Sequence, residues 1–473
     1  MNEPAGRIVV GTSYAVLGAI LCWSRLAGLG TGYCCDEIRT VVDYIGAGPR
    51  AILTGPYIPN NHELFSLFGW ATTSLIGESA IALRLWSVLP FLIGVAVVTT
   101  WLHLRMGALS GLLFLLLATV SPLLLDITRM ARGYGLAFLA MSVMIVAALE
   151  LERSGRGLAL GAFLAGGLVG SLTLPHFAIA FAATGAALLA RPDIRARVAL
   201  GTAGSMVAIA AWYAPHFDDI AASPLDDYGL TIGTAWLVTA PIDQTLVPAV
   251  TLLDDAFVRP SIASLLWVGA FAVLIASSPL LRRARTGLIL CSGVVAMVIA
   301  FWITATYVVP RFLSFLLVPL FILVATGSAA ILARLSTRPA RARTVVVIAT
   351  FAVIAVFSTP LLIDVPRLPR DSTSEAAETI RRLVPPSTPV YAHVAYHHDL
   401  AFHLGRPVRS SWTSSEAQEV CASGQLSVYV DQPFLVPGAD VPCTRREGAR
   451  HYRFEQYARG HEINVWIIPA RTS

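Results

Sequence analysis

The chain has 473 residues, of which 56% are apolar and only 13% are charged. A soluble domain usually has about 25% charged residues, so the composition excludes a highly charged soluble chain. All 34 basic residues are arginine, which indicates GC-rich codon usage and not a nucleic-acid site, and the net charge is +5. Repeated apolar runs of about 20 residues instead predict a polytopic α-helical membrane protein.

The apolar runs predict about eleven transmembrane helices within residues 1–363. They lie near residues 8–29, 81–103, 107–126, 134–150, 157–172, 175–190, 197–213, 261–281, 286–307, 311–333 and 343–363. Arginine clusters at the ends of these runs share one side, and the positive-inside rule makes that side cytoplasmic. The N-terminus is then cytoplasmic, and the long loops 30–80 and 214–260 are extracytoplasmic, as is the tail. The first run lacks a basic leader and a cleavage site, so we expect it to be retained.

An acidic pair, Asp36-Glu37, follows soon after the first apolar run. A carboxylate at the level of the lipid headgroups is well placed to act as a general base on a lipid-linked substrate. The alternative is structural, with Asp36 as a helix cap and Glu37 as a solvated acid of the first turn. A helix is possible over residues 36–47.

The rest of the first outer loop contains a turn rich in Pro and Asn, after which Asn61 or His62 starts a second helix. This helix runs to about residue 76 and is amphipathic enough to lie at the membrane interface. His62 either lines a substrate cavity or is a surface residue near the turn. Arg84, at the entrance to the second apolar run, has either a substrate-binding or a structural role.

Arg129 and Arg132 lie on the predicted outer side, where the positive-inside rule disfavours arginine. They therefore need a phosphate or another partner, and Asp126 is the alternative partner. Tyr134 either hydrogen-bonds the same group or packs in the core.

Two further candidates stand at the predicted outer ends of later runs. His176 follows Pro175 and is a pocket candidate. Arg311 enters an apolar run after Pro310, where it either binds a phosphate or lets its charged end reach the interface.

The C-terminal part predicts a linker over residues 364–386, with an amphipathic helix at 373–384, and a small extracytoplasmic α/β domain over 387–473. Alternating or apolar stretches predict strands near 389–392, 426–430 and 463–468. An oxidising exterior favours a Cys421–Cys443 disulfide. We interpret the tail histidines as an incidental surface cluster and not a metal site, because no matching acid or cysteine set accompanies them. They are His393, His397, His398 and His403, with Asp399.

The order of these motifs resembles the GT-C superfamily of integral-membrane glycosyltransferases. It is most similar to the bacterial members related to protein O-mannosyltransferases and to the lipid A aminoarabinose transferase. The motifs are Asp36-Glu37, Asn61–Phe65, Ala82–Ser87, Arg129–Leu136 and Pro310–Phe312. The resemblance covers about residues 8–335 strongly and the tail weakly.

The resemblance implies a polyprenyl-phosphate sugar as donor, an acidic general base in the first outer loop, and basic residues that hold the donor phosphate. Carried over to this chain, the base is Asp36 with Glu37 as its neighbour. The donor-phosphate and substrate-binding candidates are Arg129, Arg132, Tyr134, Arg311, His62, Arg84 and His176.

We therefore expect an inverting transferase that moves one sugar, mannose or arabinose, to an extracytoplasmic lipid, glycan or protein acceptor. It would need no metal or other cofactor, and its remaining partners would be membrane lipids and no nucleic acid. The alternatives are a transporter or flippase for a lipid-linked sugar and an envelope-polymer assembly protein. Few charges lie inside the runs and no inverted repeat is evident, whereas coupled transporters place ionisable groups near the midplane.

Overall fold

The computed structural model of the chain describes residues 4–30, 33, 36–57, 61–222, 271–303, 310–335, 372–392, 400–410, 425–431, 447–456 and 461–470. The chain divides into two compact units. Residues 1–27 and 47–363 form the first, which we call the helical unit. Residues 28–46 and 364–473 form the second, which we call the mixed unit.

The described part of the helical unit consists of α-helices and two 3-10 turns. In chain order they are α1 (Pro4–Leu26), α3 (Pro49–Thr54), α4 (Glu63–Ile76), α5 (Ala80–Met106), α6 (Ala108–Val120), α7 (Pro122–Thr128), α8 (Tyr134–Ser154), α9 (Gly157–Thr173), α10 (Phe177–Leu188), α11 (Arg195–Tyr213), α12 (Phe217–Ala222), α13 (Ala284–Ile303) and α14 (Leu317–Leu335), with 3-10 turns at Ala214–His216 and Pro310–Leu316. The label α2 belongs to the mixed unit.

Four of the described helical segments are long and apolar enough to cross a bilayer, and several shorter helices are equally apolar. The four are Ala80–Met106, Tyr134–Ser154, Arg195–Asp219 and Arg311–Arg334. The protein is therefore a polytopic helical membrane protein. The predicted run 343–363 and much of 261–281 lie outside the described residues, so the number of spans stays a prediction.

Helix α8 forms the centre of the helical unit, since it is buried nearly all round. Small residues let its neighbours approach closely. A Cβ at Gly166 of α9 would lie 2.8 Å from the Ala140 carbonyl oxygen, and one at Gly94 of α5 would lie 3.0 Å from the Leu139 Cα. This close packing fixes the helix ends from which the polar side chains project.

The predicted run 107–126 is broken at Ser121-Pro122. Proline disfavours a helical conformation in the residue before it, and it suits the first turn of the next helix. Helix α6 accordingly ends at Val120 and α7 begins at Pro122, with the Ser121 Oγ accepting from the Leu124 N–H at 3.3 Å. The break turns the chain toward the connection between α7 and α8, which carries Arg129 and Arg132.

The mixed unit contains a five-stranded sheet in the order β2-β1-β3-β5-β4. Strand β1 pairs in parallel with β2 and β3, and β5 pairs antiparallel with β3 and β4. Its elements are α2 (Asp36–Arg39), a π-helix (Thr40–Ile45), α15 (Ser372–Leu383), β1 (Val390–Ala392), β2 (Arg409–Ser410), β3 (Ser427–Asp431), β4 (Arg450–Gln456) and β5 (His461–Ile468). Strands β1, β3 and β5 coincide with the stretches that the sequence predicts as strands.

One face of this sheet forms the core of the mixed unit. Helix α15 buries Ala376, Ala377 and Ile380 in the same cluster as Val428 and Val465 of the strands. The amphipathic pattern of the helix explains this packing, because its apolar residues share one side. Cys421, Cys443, His393, His397, His398 and Asp399 lie outside the described residues, so the disulfide and the predicted surface cluster stay predictions.

Candidate functional site

The helical unit gathers basic side chains that are far apart in the sequence. They are His62 before α4, Arg132 between α7 and α8, His176 between α9 and α10, and Arg311 in the 3-10 turn before α14. We call these four residues the basic cluster. All of them were candidates from the sequence, and the fold brings them together around two aromatic rings.

The first ring is that of Tyr134, at the start of α8. Its centre lies 4.9 Å from that of the His62 ring in an edge-to-face arrangement, and the Arg132 Cζ lies 5.5 Å from it. The Phe312 ring is stacked at 6.5 Å on the same tyrosine. Tyr134 is therefore a buried wall of the cluster, with 1% of its surface exposed.

The second ring is that of Phe312, next to Arg311. The Arg311 Cζ lies 5.8 Å from the centre of this ring, a cation–π distance. The His176 Nε2 donates a hydrogen bond to the Phe312 carbonyl oxygen at 2.9 Å. The turn before α10 is thus fastened to the turn before α14, which places both basic residues in one region.

His62 lies at the centre of the hydrogen bonding. Its Nδ1 accepts from the Gly133 backbone N–H at 2.8 Å, and its Nε2 lies 3.0 Å from the Arg132 Nη2. Burial, followed by the charges of Arg132 and Arg311 and the nearby His176, lowers the pKa of His62 well below its ordinary value. The imidazole is therefore neutral at physiological pH.

The neighbouring residue, Glu63, faces a different group. Its Oε2 accepts a hydrogen bond from the Trp212 indole N–H, and its Oε1 lies 3.2 Å from the His216 Nε2. Burial is the largest influence on this carboxyl and raises its pKa to about 8. Glu63 is therefore largely protonated at neutral pH.

The same region connects the segment before α4 to the end of α11. The Tyr57 N–H donates to the Asp219 Oδ2 at 2.8 Å, and the Tyr57 ring lies 5.4 Å from that of His216. We call Tyr57, Glu63, Trp212, His216 and Asp219 the loop junction. The sequence did not single out this junction, because its members are 149 residues apart at the Glu63–Trp212 contact.

Arg129 contacts a different segment from Arg132. Its Nη2 donates to the carbonyl oxygen of Ala27, just beyond the end of α1. Arg25 of α1 contacts α6 in return, since its Nη2 donates to the carbonyl oxygens of Ala118 at 2.8 Å and Thr119 at 3.4 Å. Arg25 is fully buried, and its only signal in the sequence is its position as a basic residue inside an apolar run.

Arg84 is buried near the start of α5, with 4% of its surface exposed. One turn later, the Ser87 Oγ accepts from the Gly135 N–H at 3.3 Å. A Cβ at Gly135 would lie only 1.9 Å from the Ser87 carbonyl oxygen. The start of α5 therefore packs directly on the start of α8, beside Arg132 and Tyr134.

The acidic pair belongs to the mixed unit. Asp36 is the first residue of α2 and not its cap, and Glu37 is 1% exposed. The structural alternative from the sequence, in which Asp36 caps the helix and Glu37 is solvated, therefore differs from the structure. The Thr40 Oγ1 donates to the Asp36 carbonyl oxygen at 3.0 Å, and the His403 Nε2 donates to the Tyr33 carbonyl oxygen at 3.1 Å.

The basic cluster is suited to binding an anion. Guanidinium groups form short, charge-assisted hydrogen bonds with phosphate and carboxylate oxygens, and two of them, from Arg132 and Arg311, lie near His62. Among the described residues no group of three or more potential metal ligands occurs.

Comparisons with known proteins identify the fold. No protein-family model matches the chain, and no curated protein matches its sequence. ArnT from Cupriavidus metallidurans bound to undecaprenyl phosphate has a TM-score of 0.54 and 15% identity, with 100% of each chain covered. Its apo structure has a TM-score of 0.55 at 15% identity, with 99% of each chain covered. The oligosaccharyltransferase AglB from Archaeoglobus fulgidus, in complex with an inhibitory peptide and a dolichol-phosphate, has a TM-score of 0.54 and 11% identity, with 93% of this chain and 72% of AglB covered.

Both neighbours are membrane glycosyltransferases of the GT-C superfamily. The chain therefore shares the fold of these two proteins, and at the level of the fold the resemblance predicted from the order of the motifs is confirmed. At these identities the likeness establishes the fold, and the chemistry has to be argued from the residues.

Proposed function

We propose that the protein transfers one sugar from a polyprenyl-phosphate donor to an extracytoplasmic acceptor. The observation that carries this proposal is the basic cluster, in which two arginines and two histidines from four segments meet in a buried region. Loss of the sugar leaves a phosphate anion, which needs charge stabilisation more than protonation. The undecaprenyl phosphate bound to ArnT and the dolichol-phosphate bound to AglB support a lipid phosphate as the ligand of this fold.

In this proposal Arg132 and Arg311 hold the donor phosphate, because the guanidinium of Arg132 lies 5.5 Å from the Tyr134 ring and that of Arg311 lies 5.8 Å from the Phe312 ring. His62, Tyr134 and His176 line the same site. Arg129 is a weaker phosphate ligand, since its guanidinium already binds the end of α1.

The proposed general base is Asp36, with Glu37 as its acidic neighbour. As the acceptor hydroxyl attacks the anomeric carbon, its proton passes to a carboxylate oxygen of Asp36, and the bond from that carbon to the phosphate oxygen breaks with inversion. A positioned base of this kind contributes about 10²–10⁴-fold. The acceptor is a lipid, glycan or protein, the sugar is mannose or arabinose, and no metal takes part.

The test is sugar transfer by the purified protein in nanodiscs, with a panel of synthetic polyprenyl-phosphate sugars and cell-envelope material as acceptor. Asp36→Asn keeps the size of the side chain but cannot take the proton. We expect turnover to fall by at least about 10²-fold while donor binding persists.

The matched control is Asp43→Asn, which changes an exposed acid of the same segment and should leave turnover unchanged. Near-normal turnover of Asp36→Asn would exclude Asp36 as the base. If the native protein moved lipid-linked sugars across the bilayer without transferring sugar from any donor, the transferase assignment itself would be wrong.

A further inference from the structure

Among the described residues, both hydrogen-bonding neighbours of His62 are donors. The Gly133 N–H points at Nδ1 at 2.8 Å, and the Arg132 Nη2 lies 3.0 Å from Nε2. A neutral imidazole has one N–H donor and one acceptor nitrogen, and an imidazolium has no acceptor. The two neighbours are both donors, so in every protonation state of the ring at least one of its N–H groups faces another donor.

The position of Gly133 decides which nitrogen carries the proton. A Cβ on this glycine would lie 2.5 Å from the Thr173 Cγ2 and 3.0 Å from the His62 Nδ1. The backbone is therefore held against the ring, and its N–H has a fixed direction. Nδ1 must accept this bond, which leaves the proton on Nε2, directed at Arg132.

The environment keeps the ring in this neutral form. His62 and Arg132 are both fully buried. Among the described residues, the titratable groups that act on the ring are Arg132, His176 and Arg311, and together with burial they oppose a second proton. Two N–H groups from two different side chains thus converge in a buried, positively charged region, where donors facing each other are costly.

We propose that the His62 Nε2–H and the Arg132 Nη2–H together bind one anionic oxygen of the substrate phosphate. A single oxygen placed between the two groups accepts from both, which resolves the mismatch and adds a charge-assisted hydrogen bond from the guanidinium. This inference rests on the proposed function and deepens it, because it makes the neutral histidine a hydrogen-bond donor to the phosphate.

Two substitutions of His62 separate the roles of its nitrogens. In His62→Asn the amide oxygen can stand where Nδ1 stands and accept from Gly133, but no donor reaches the position of Nε2. In His62→Gln the amide nitrogen can reach the position of Nε2. Both variants are neutral, and unfolding temperatures measured for each identify a variant that has simply failed to fold.

The measurement is the affinity of the purified protein for undecaprenyl phosphate, with inorganic phosphate as a second probe. We expect His62→Asn to weaken binding of the lipid phosphate by about 10-fold or more, the effect of losing a hydrogen bond to a charged group, and His62→Gln to stay within about 3-fold of the native protein. If inorganic phosphate binds the three proteins with the same order of affinity, the phosphate alone is recognised. If only the lipid phosphate binds, the polyprenyl chain is needed as well. Either result supports the shared oxygen. Equal affinities for native protein and a folded His62→Asn variant, or equal losses in both variants, would overturn it.

A second readout tests the proton position directly. The method is NMR of protein with ¹⁵N-labelled histidine, in which the signals of His62 are those that disappear in His62→Gln. We expect these signals to show an unprotonated Nδ1 that accepts a hydrogen bond and an Nε2 that carries the proton. A protonated Nδ1, or affinity that rises on acidification from pH 8 to 6 in the native protein but not in His62→Gln, would refute the inference. The proposed function would fail on a different result, namely that the native protein does not bind undecaprenyl phosphate.

Discussion

The basic cluster and the loop junction contain two consecutive residues, His62 and Glu63, whose surroundings have opposite character. His62 is next to two hydrogen-bond donors and to positive charge. It stays neutral because burial and these charges lower its pKa and so oppose protonation of the ring. Glu63 meets an indole N–H and an imidazole and stays largely neutral because burial raises its pKa to about 8. Both side chains are fully buried, yet the described hydrogen-bonding neighbours of His62 are donors, whereas Glu63 joins the start of α4 to the end of α11.

The difference follows from the backbone at the start of α4. His62 precedes the helix, with φ −89° and ψ 77°, whereas Glu63 is the first helical residue. The two side chains therefore leave the chain in different directions, His62 toward α8 and Glu63 toward the end of α11. One peptide group thus joins the basic cluster to the loop junction, and substitutions at His62 and Glu63 can test the two groups separately.

The largest expected effect comes from removing a positive charge from the basic cluster. Arg132→Gln should weaken undecaprenyl phosphate binding by about 10- to 100-fold, since a charge-assisted hydrogen bond is worth roughly 1.5–3 kcal/mol. Arg132→Lys should restore only part of the loss, because lysine lacks the planar fork. Equilibrium binding in detergent or nanodiscs measures both variants.

The matched control is Arg50→Gln, which removes an exposed arginine from α3 and should leave affinity unchanged. If a folded Arg132→Gln variant bound as tightly as the native protein, the phosphate site would have to be placed elsewhere.

The second prediction concerns the loop junction and the pH dependence of stability. The pKa of Glu63 is raised from 4.5 to about 8, so the folded state holds a proton that the unfolded state releases between these values. Its contribution to stability therefore falls as the pH rises through this window, by at most about 1.4 kcal/mol per pH unit for one proton. Glu63→Gln imitates the protonated carboxyl and should flatten the fall in unfolding temperature between pH 5 and pH 8.

Glu78→Gln is the control for this experiment, because Glu78 is exposed at the other end of the same region. It should leave the pH profile as it is. A profile that Glu63→Gln does not flatten would mean that the carboxyl is already ionised in the folded protein.

The contrast also shows what the sequence could predict. The turn rich in Pro and Asn placed the start of α4 correctly, and the apolar runs predicted α5, α8, α9 and α11. His62, Arg132, His176 and Arg311 were each singled out, but only the fold shows that they meet, because His176 and Phe312 are 136 residues apart at their hydrogen bond. The loop junction had no local signal, since a buried Glu can find its partner on any helix.

Arg129 and Arg132 illustrate the limit most clearly. In the sequence they are three residues apart, and on a continuous helix they would share a face. Helix α7 ends at Thr128, however, and the turn that follows sends Arg129 to the end of α1 and Arg132 to His62. Neighbouring residues of the same type can thus serve different ends where a helix is interrupted.

The smallest expected effect on binding, and a clear effect on stability, comes from Arg25. Because α6 ends before Pro122, its last carbonyl groups lack partners within the helix. The Arg25 guanidinium donates hydrogen bonds to the carbonyl oxygens of Ala118 and Thr119. It also donates to the Ser24 Oγ at 2.8 Å. Arg25→Gln should lower the free energy of unfolding by about 1–3 kcal/mol, the cost of a buried group left unsatisfied. Arg25→Lys should recover part of the lost free energy of unfolding, because the lysine ammonium can still donate to one of the carbonyl oxygens. The control is Arg156→Gln, which changes an exposed arginine beyond α8.

Affinity for undecaprenyl phosphate then separates architecture from site. Arg25 contacts α6, which leads into α7 and the turn carrying Arg132, so its loss reaches the phosphate only through a shift of that turn. Arg132→Gln should therefore reduce affinity with little change in unfolding temperature, and Arg25→Gln should do the reverse. If Arg25→Gln weakened lipid-phosphate binding as much as Arg132→Gln at a temperature where both are folded, Arg25 would belong to the binding site, which would then extend to α1.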